Sequence, residues 1–503
     1  MGERRSLCVG EAVDGEEAPG VSWKTPLVFQ SKLLCLSLLY LATSLLISLD
    51  VTISHTGCLF RFPYPLYTDL HSRLSEPLFS YPTAYGEHKH ALPSSSSSPS
   101  CDSPVLFPDY LAAFAEIQSL SRNSSYPSPA VRVRYMSGTR TSFAGNFTTQ
   151  ERKSYFTLGN SGGGDDDGTA PPEVPCGFFR EFPVRLSDKA AMESCKGVAV
   201  ASAIFSDHDK LRQPMGLGVK TLETVCFFVF VDDATLRALT AHHLLRPLEP
   251  AEEEHEATDG EPNKIGVWRV VRLPTAALPY ANPAMNGVVP KHLLHRLFPS
   301  AKFSLWVDAK MQLTADPLLL IHSLLVAAGA DMAVSRHPLS VHTMEEAVAT
   351  ARWRKWPDVD GLRAQMEAYC ENGLQPWSPA KLPYTTDVPD TAIILRRHGR
   401  RSDLFSCLLF NELEAFNPRD QLAFAYVRDL MRPQVRIHMF PAAVLEQIAV
   451  EYRHNLKPAG GGAIAAVEHG GLKPRRASSR GLRGSSCKGY LLKMWGEEAN
   501  DGE

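Results

Sequence analysis

From position 174 to about 457, short apolar runs alternate with longer stretches in which apolar residues recur every three or four positions. The runs 197–205, 225–231, 266–271, 303–307, 331–335 and 391–395 read as buried strands. They are apolar at consecutive positions, as strands covered on both faces are. The intervening periodicity predicts helices over 288–298, 316–328, 343–354, 359–371, 402–414 and 419–431. Strands alternating with helices predict an α/β domain with a mostly parallel sheet over 174–457. Ligands of such sheets bind beyond the carboxyl ends of the strands. That rule points to Ser206-Asp207-His208-Asp209, Asp232-Asp233 and Asp308-Ala309-Lys310, where polar groups follow directly on apolar runs.

A different pattern precedes the domain. Leu33 to Leu49 is rich in Leu and carries no charge. As a helix it would be roughly 26 Å long, at the short end of what spans a bilayer. Residues 33–53 are therefore expected to be a transmembrane signal anchor. Lys24 and Lys32 lie before the run and Asp50 after it, so the positive-inside rule leaves residues 1–32 as a cytosolic tail. A cleaved signal peptide is the alternative, disfavoured by the late start of the run and the lack of a small-residue cleavage site. Residues 54–130 are rich in Pro, Ser and Tyr and read as a flexible stem. Residues 131–173 form a pre-domain segment that ends in the Gly/Asp linker Gly162–Gly168, and 458–503 reads as a disordered tail. The sequons Asn123-Ser124-Ser125 and Asn146-Phe147-Thr148 fit a lumenal body.

Composition adds limits. The chain has 503 residues, 44% of them hydrophobic, enough for a large core. A net charge of −3 and a pI of about 6.6 exclude nucleic acid as an expected partner. The acidic insert 244–263 and the basic stretch 473–488 hold few large apolar residues and read as solvated segments. Eight of the ten cysteines follow the anchor. Cys176 and Cys195 flank a short segment and either pair in an oxidising lumen or stay free buried thiols.

Some motifs fail on context. Gly159-Asn160-Ser161-Gly162-Gly163 matches G-x-S-x-G but has no strand before it and no helix after it. Gly216-Leu217-Gly218 lacks the third glycine of a dinucleotide loop.

The strand ends suit transfer of a sugar from a nucleotide diphosphate. That reaction needs counter-charge on the leaving diphosphate, from a metal or from cationic side chains. It also needs a group that orients or deprotonates the acceptor hydroxyl. Asp308 is a candidate catalytic residue and a hard-oxygen ligand for Mn²⁺ or Mg²⁺, and Lys310 a candidate phosphate contact. An acid at a strand end is otherwise a turn or cap residue. Lys291 and His295, four apart on one predicted helix face, are candidates to meet the diphosphate or form a solvated face. Asp207, Asp209 and Arg212 are candidates for base, ribose or phosphate contacts, or a polar loop. Asp387 and Asp420 are candidates for sugar binding or acid–base work, with Gln421 beside Asp420 as a donor contact. Asp420 would also suit a helix N-terminus for its charge alone. His454 is a candidate metal or phosphate contact, or a surface residue.

Several motifs in order carry a resemblance. They are Val174-Pro175-Cys176-Gly177-Phe178, Ala203-Ile204-Phe205 with Asp209, Leu211-Arg212-Gln213-Pro214 and Leu297-Phe298-Pro299. They continue through Ser304-Leu305-Trp306-Val307-Asp308-Ala309-Lys310, Ser335-Arg336-His337, Lys381-Leu382-Pro383 with Asp387-Val388-Pro389, and Arg419-Asp420-Gln421. Val174 to Tyr452, with Arg132 to Phe156, resembles a plant family of membrane-anchored, glycosyltransferase-like proteins long catalogued as a domain of unknown function. The family includes a seed-mucilage hexosyltransferase and a turgor-regulation-defect protein.

The resemblance implies a Rossmann-like A-type glycosyltransferase fold behind one membrane helix and a stem. It implies a single-pass type II protein of the Golgi membrane with its catalytic domain in the lumen. The implied reaction is hexosyl transfer from a nucleotide-sugar donor to a cell-wall or mucilage polysaccharide or a glycoconjugate. It also carries an alternative, since the turgor member is described as an alkaline ceramidase; the residues offer no hydrolase triad for that chemistry. His208 stands where a tyrosine-like residue is expected. Many A-type enzymes place two acids, spaced by one residue, at the strand end occupied by Asp308. Here Lys310 replaces the second. A metal must then draw ligands from elsewhere, with His454 the candidate, or Lys310 supplies part of the charge.

Overall fold

The computed structural model describes residues 36–45, 79–89, 91–92, 107–122, 133–138, 147–157, 173–246, 263–454, and Cys487, Gly489 and Leu491. The chain divides into two compact units, Met1–Arg61 and Phe62–Glu503. In the first, only 36–45 is described, as an exposed helix. Among the described residues no helix is long and apolar enough to cross a membrane. The rest of the expected anchor 33–53 and the tail 1–32 lie outside them.

In the second unit the strands are β1 (Arg134–Tyr135), β2 (Glu173–Val174), β3 (Gly197–Ile204), β4 (Val225–Asp232), β5 (Lys264–Ile265) and β6 (Trp268–Leu273). They continue with β7 (Ala301–Val307), β8 (Met311–Leu313), β9 (Met332–Arg336), β10 (Pro389–Arg397), β11 (Ile437–Phe440) and β12 (Ala449–Glu451). One eight-stranded sheet runs β11-β9-β10-β7-β3-β4-β6-β5. The strands β7, β3, β4 and β6 pair in parallel, as do β9 and β11. β10 is antiparallel to both β7 and β9. The expected α/β domain with a mostly parallel sheet is therefore present. The reversed β10 has a consequence for function: its amino end, Pro389 to Thr391, lies at the same edge as the carboxyl ends of β7 and β9.

The sheet is buried on both faces, which is why its strands read as unbroken apolar runs. On one face Phe228, Phe230, Trp306 and Ile394 pack in a cluster with Phe405, Leu409, Phe424 and Val427 from the helices Arg400–Ala415 and Asp420–Leu430. On the other, Val229, Val231, Leu305 and Ile393 share a core with Ile117 and Leu320. The predicted helix 359–371 is observed as Val359–Glu371.

Four expectations change. The predicted helix 288–298 is two pieces, Pro283–His292 and Leu294–Leu297, because the backbone turns at Leu293 (φ −107°). Part of the expected flexible stem is packed. The helix Tyr110–Arg122 buries Tyr110, Ala113 and Ile117, and the Tyr85 hydroxyl accepts from the Leu211 N–H at 2.7 Å. In the expected disordered tail, Leu491 is buried and Cys487 is bonded to Cys370. The cysteines also pair differently: Cys176 joins Cys407, 231 residues away, and Cys195 joins Cys226.

Candidate active site

Asp308 directly follows β7. Its N–H donates to the Ala392 carbonyl of β10 at 2.8 Å, and its own carbonyl accepts from Met311 at 2.8 Å. These two bonds fix the turn through Ala309 and Lys310. The Trp306 indole N–H donates to Asp308 Oδ1 at 2.6 Å. Lys291 reaches the same place from the last turn of the helix Pro283–His292. Its Nζ lies 3.3 Å from Asp308 Oδ1 and 3.1 Å from Asp420 Oδ2, and donates to Thr391 Oγ1 at 3.2 Å. One ammonium thus joins the end of β7, the start of β10 and the first turn of the helix Asp420–Leu430.

Burial opposes the Lys291 charge, but Asp308 and Asp420 outweigh it and raise its pKa. Burial likewise pushes the Asp420 carboxyl up. Lys291 first, then His292, overcome this and hold it well below the usual carboxylate range. At the first turn of a helix, Asp420 also meets the positive end of the helix dipole.

Lys310 faces a second group of acids. The pairing of β12 with β8 sets Glu451 opposite Met311, and Lys310 Nζ is 2.7 Å from Glu451 Oε1. Burial lowers the Lys310 pKa, yet Asp308, Glu451 and Asp390 raise it more. The Asp390 carboxyl is pushed up, chiefly by burial. His454 Nδ1 lies 2.9 Å from Asp209 Oδ1, and its ring is 4.5 Å from that of His208. The Asp209 hydrogen bond raises the His454 pKa against burial, with Asp308 adding and Lys310 opposing.

The structure therefore gathers Lys291, Asp308, Lys310, Asp420, Asp209 and His454 at the carboxyl edge of the sheet. Asp207 lies nearby in the turn after β3, in a left-handed backbone (φ 51°), with Oδ1 3.8 Å from Lys210 Nζ. Gln421 is partly exposed beside Asp420. The reading of single residues missed Asp390, Thr391, His292 and Glu451. Asp390 and Thr391 start an apolar run, a signal that needs the strand's direction before it points anywhere. Glu451 gives no signal in the sequence.

Three candidates are taken up by the framework. His295 is buried, with Nε2 3.6 Å and 3.4 Å from the Cys176 and Cys407 sulfurs. The turn at Leu293 takes it off the face that Lys291 occupies. Asp387 is buried between Arg428 Nη2 at 2.7 Å and Lys381 Nζ at 2.9 Å, an internal ion-pair network. Arg212 is spent on the framework. Its guanidinium donates to the Glu87, Lys210 and Ala309 carbonyls and lies 3.8 Å over the Tyr452 ring.

The expected divalent ion on Asp308 and His454 would have one free atom of each to use. Asp308 Oδ1 is taken by Lys291 and Trp306 and His454 Nδ1 by Asp209, which leaves Asp308 Oδ2 and His454 Nε2 as the donors it would need. Among the described residues, the group of three ligand atoms within 4.8 Å is Cys176, His295 and Cys407, and its two sulfurs are joined in a disulfide.

A mostly parallel, doubly covered sheet with its charged groups at the carboxyl edge is an α/β frame that binds ligands at that edge. Residues 130–454 match the model of the TOD1/MUCI70 family, described as a glycosyltransferase-like domain, and the chain belongs to that family. It is 54% identical over 483 residues to a protein of Arabidopsis thaliana named alkaline ceramidase TOD1, covering 94% of this chain and 98% of that one. It is 38% identical over 264 residues to the Arabidopsis thaliana protein named probable hexosyltransferase MUCI70, covering 51% of this chain and 42% of that one. Among solved structures, mouse xyloside xylosyltransferase 1 in its apo form overlays with a TM-score of 0.28 at 9% identity, over 48% of this chain and 84% of that one.

Proposed function

We propose that this chain is a Golgi-membrane glycosyltransferase, single-pass type II, with its catalytic domain in the lumen. It moves a hexosyl group from a nucleotide-sugar donor to a polysaccharide or glycoconjugate acceptor. The observation that carries the reading is the pair of ammonium groups, Lys291 and Lys310, flanking the Asp308 carboxylate at the carboxyl edge of the sheet. Membership of a glycosyltransferase-like family and the likeness to a named hexosyltransferase support it.

In the transfer, the bond from the anomeric carbon to the diphosphate oxygen breaks and its electron pair leaves with the diphosphate. The acceptor oxygen bonds to that carbon and gives up its proton. Lys291 and Lys310 supply positive potential toward the leaving oxygens. Opposite unit charges about 4 Å apart attract by about 4 kcal/mol at an effective dielectric constant of about 20. Trp306 and Lys291 both bind Asp308 through Oδ1, so Oδ2 is the atom that takes a hydroxyl of the donor sugar. Asp390, its carboxyl raised by burial, is suited to take the acceptor proton.

The experiment is turnover of a panel of nucleotide sugars by the purified chain and by Asp308→Ala. Loss of turnover in the variant supports the assignment. Equal turnover removes Asp308 from the mechanism, and a wild-type chain that binds no nucleoside diphosphate in calorimetry removes the reading altogether.

A second reading follows from the name of the relative at 54% identity: cleavage of the ceramide amide bond. Release of free sphingoid base from ceramide by the purified chain, lost in Asp308→Ala, would favour it. No release with divalent metals supplied would dispose of it.

A further inference from the structure

Beside the candidate site the molecule presents large apolar side chains that none of the described residues covers. Leu339 is 87% exposed, Trp353 72% and Leu382 61%. Soluble surfaces scatter such residues singly, but these three come from neighbouring loops on one platform.

Buried Glu346 ties the platform together. Its carboxylate meets Ser340 Oγ at 3.1 Å, Lys355 Nζ at 3.2 Å and Arg419 Nη2 at 2.8 Å. This draws the loop bearing Leu339, the helix end bearing Trp353 and the residue before Asp420 to one point. The third loop is tied by Asp387. Its N–H donates to the Val341 carbonyl at 2.9 Å, and its carboxylate holds Lys381, the neighbour of Leu382. The platform therefore adjoins the edge of the sheet where Lys291 and Asp420 meet.

Cations outnumber acids around these apolar side chains, although exposed Asp358 and Asp360 follow close behind. Arg336, Arg352 and Arg354 are exposed, and the segment Ala351-Arg352-Trp353-Arg354-Lys355-Trp356-Pro357 contains three cations, two tryptophans and no acid. Tryptophan with aliphatic side chains, ringed by Arg and Lys, suits the boundary between lipid headgroups and acyl chains. There the ring and the aliphatic groups leave water while the cations stay among anionic headgroups. A hydroxylated polymer would stack on Trp353 but would gain nothing from Leu339 and Leu382.

We infer that this platform docks on an anionic lipid surface, with Leu339, Trp353 and Leu382 in the interface and the three arginines among the headgroups. The candidate site would then open beside the bilayer. The inference rests neither on sugar transfer at that site nor on the lumenal placement of the domain.

The unit Phe62–Glu503 holds the entire sheet and both cores, so it can be tested without the apolar run 33–49. Its sedimentation is measured with vesicles of phosphatidylcholine alone and with vesicles containing about 30% phosphatidylserine, a composition that sets up the negative surface potential. The expected result is binding at least about tenfold tighter to the anionic vesicles, weakened by salt. Each arginine near such a surface is worth about a fivefold change, so Arg352→Ala with Arg354→Ala should weaken binding about twenty-five-fold. Trp353→Ala should weaken it on both vesicle types. All three positions are exposed, so the variants should keep the wild-type melting temperature. Equal binding to the two vesicle types would overturn the inference, as would unchanged binding by both variants. So would vesicles left unbound while soluble polygalacturonate binds through Trp353 and the arginines.

Discussion

Acid should loosen this fold through one buried imidazole. His292 is fully buried, with Nδ1 3.4 Å from Arg396 Nη2 and Nε2 3.4 Å from Asp420 Oδ2. A guanidinium can only donate, so Nδ1 is the accepting nitrogen and the single ring proton sits on Nε2, toward Asp420. A second proton would have to enter at Nδ1, against Arg396. Burial first, with Arg396 and Lys291 adding and Asp420 opposing, brings the His292 pKa down to about 4. An unfolded histidine titrates near 6.5. Between those values the unfolded chain binds a proton that the folded chain does not, so stability falls as pH falls from about 6.5 to about 4. At roughly 1.4 kcal/mol per pH unit, the loss is about 2 kcal/mol at pH 5 and about 3 kcal/mol at pH 4. Urea unfolding of the wild type and His292→Asn, at about pH 7 and about pH 5, measures it. The variant should be weaker at both pH values but should lose about 2 kcal/mol less between them. Equal losses would refute the argument, as would a His292 resonance titrating near 6.5.

Under the transferase reading, Lys310→Ala should weaken nucleoside diphosphate binding about tenfold, a change of about 1.4 kcal/mol. Glu451→Gln should strengthen it by releasing Lys310, and calorimetry that finds the same affinity in both variants would remove Lys310 from the donor site. Asp387→Asn leaves Arg428 buried beside one fewer counter-charge and should cost about 3–5 kcal/mol of stability, with normal turnover per folded molecule. Normal melting with lost turnover would instead return Asp387 to the chemistry. Gly177→Ala should be severely destabilising, because Gly177 has φ +69° and an added Cβ would lie 2.1 Å from Leu293 Cδ1. Strain and overpacking together predict a loss of about 2–4 kcal/mol, and an unchanged melting temperature would contradict it.

What could be read from the chain follows from what periodicity encodes. Strands β3, β4, β7, β9 and β10 are covered on both faces, and their apolar runs fall within a few residues of the observed ends. Such a run carries no direction, so the reversal of β10 was invisible, and with it the arrival of Asp390 and Thr391 beside Asp308. Periodicity also misled around Leu293. Val288, Val289, Leu293, Leu294 and Leu297 keep helical spacing and are all buried, although the backbone turns between them. The helix Tyr110–Arg122 was hidden because its surroundings are rich in Ser and Pro, a composition that reads as spacer whatever lies within it. Cysteine spacing could not find a partner 231 residues away.

The two lysines were legible as candidates for one role, but their surroundings assign them different ones. Lys291 is held by Asp308, Asp420 and Thr391 at the meeting point of three elements, and its side chain is 12% exposed. Breaking a buried pair of that kind costs several kcal/mol, so Lys291 cannot move toward a ligand. Its work is to fix the Asp308 carboxylate and to lend a stationary positive potential. Lys310, its side chain 25% exposed, pairs with a Glu451 side chain that is 44% exposed. A pair open to water on one side is weaker than a buried one, so Lys310 can leave Glu451 for a phosphate at less loss than Lys291 can leave its acids. A lone carboxylate at this strand end therefore works between one fixed cation and one exchangeable cation. Asp308 and Asp420 already balance the two lysines, and Glu451 is the acid that a diphosphate would displace from Lys310.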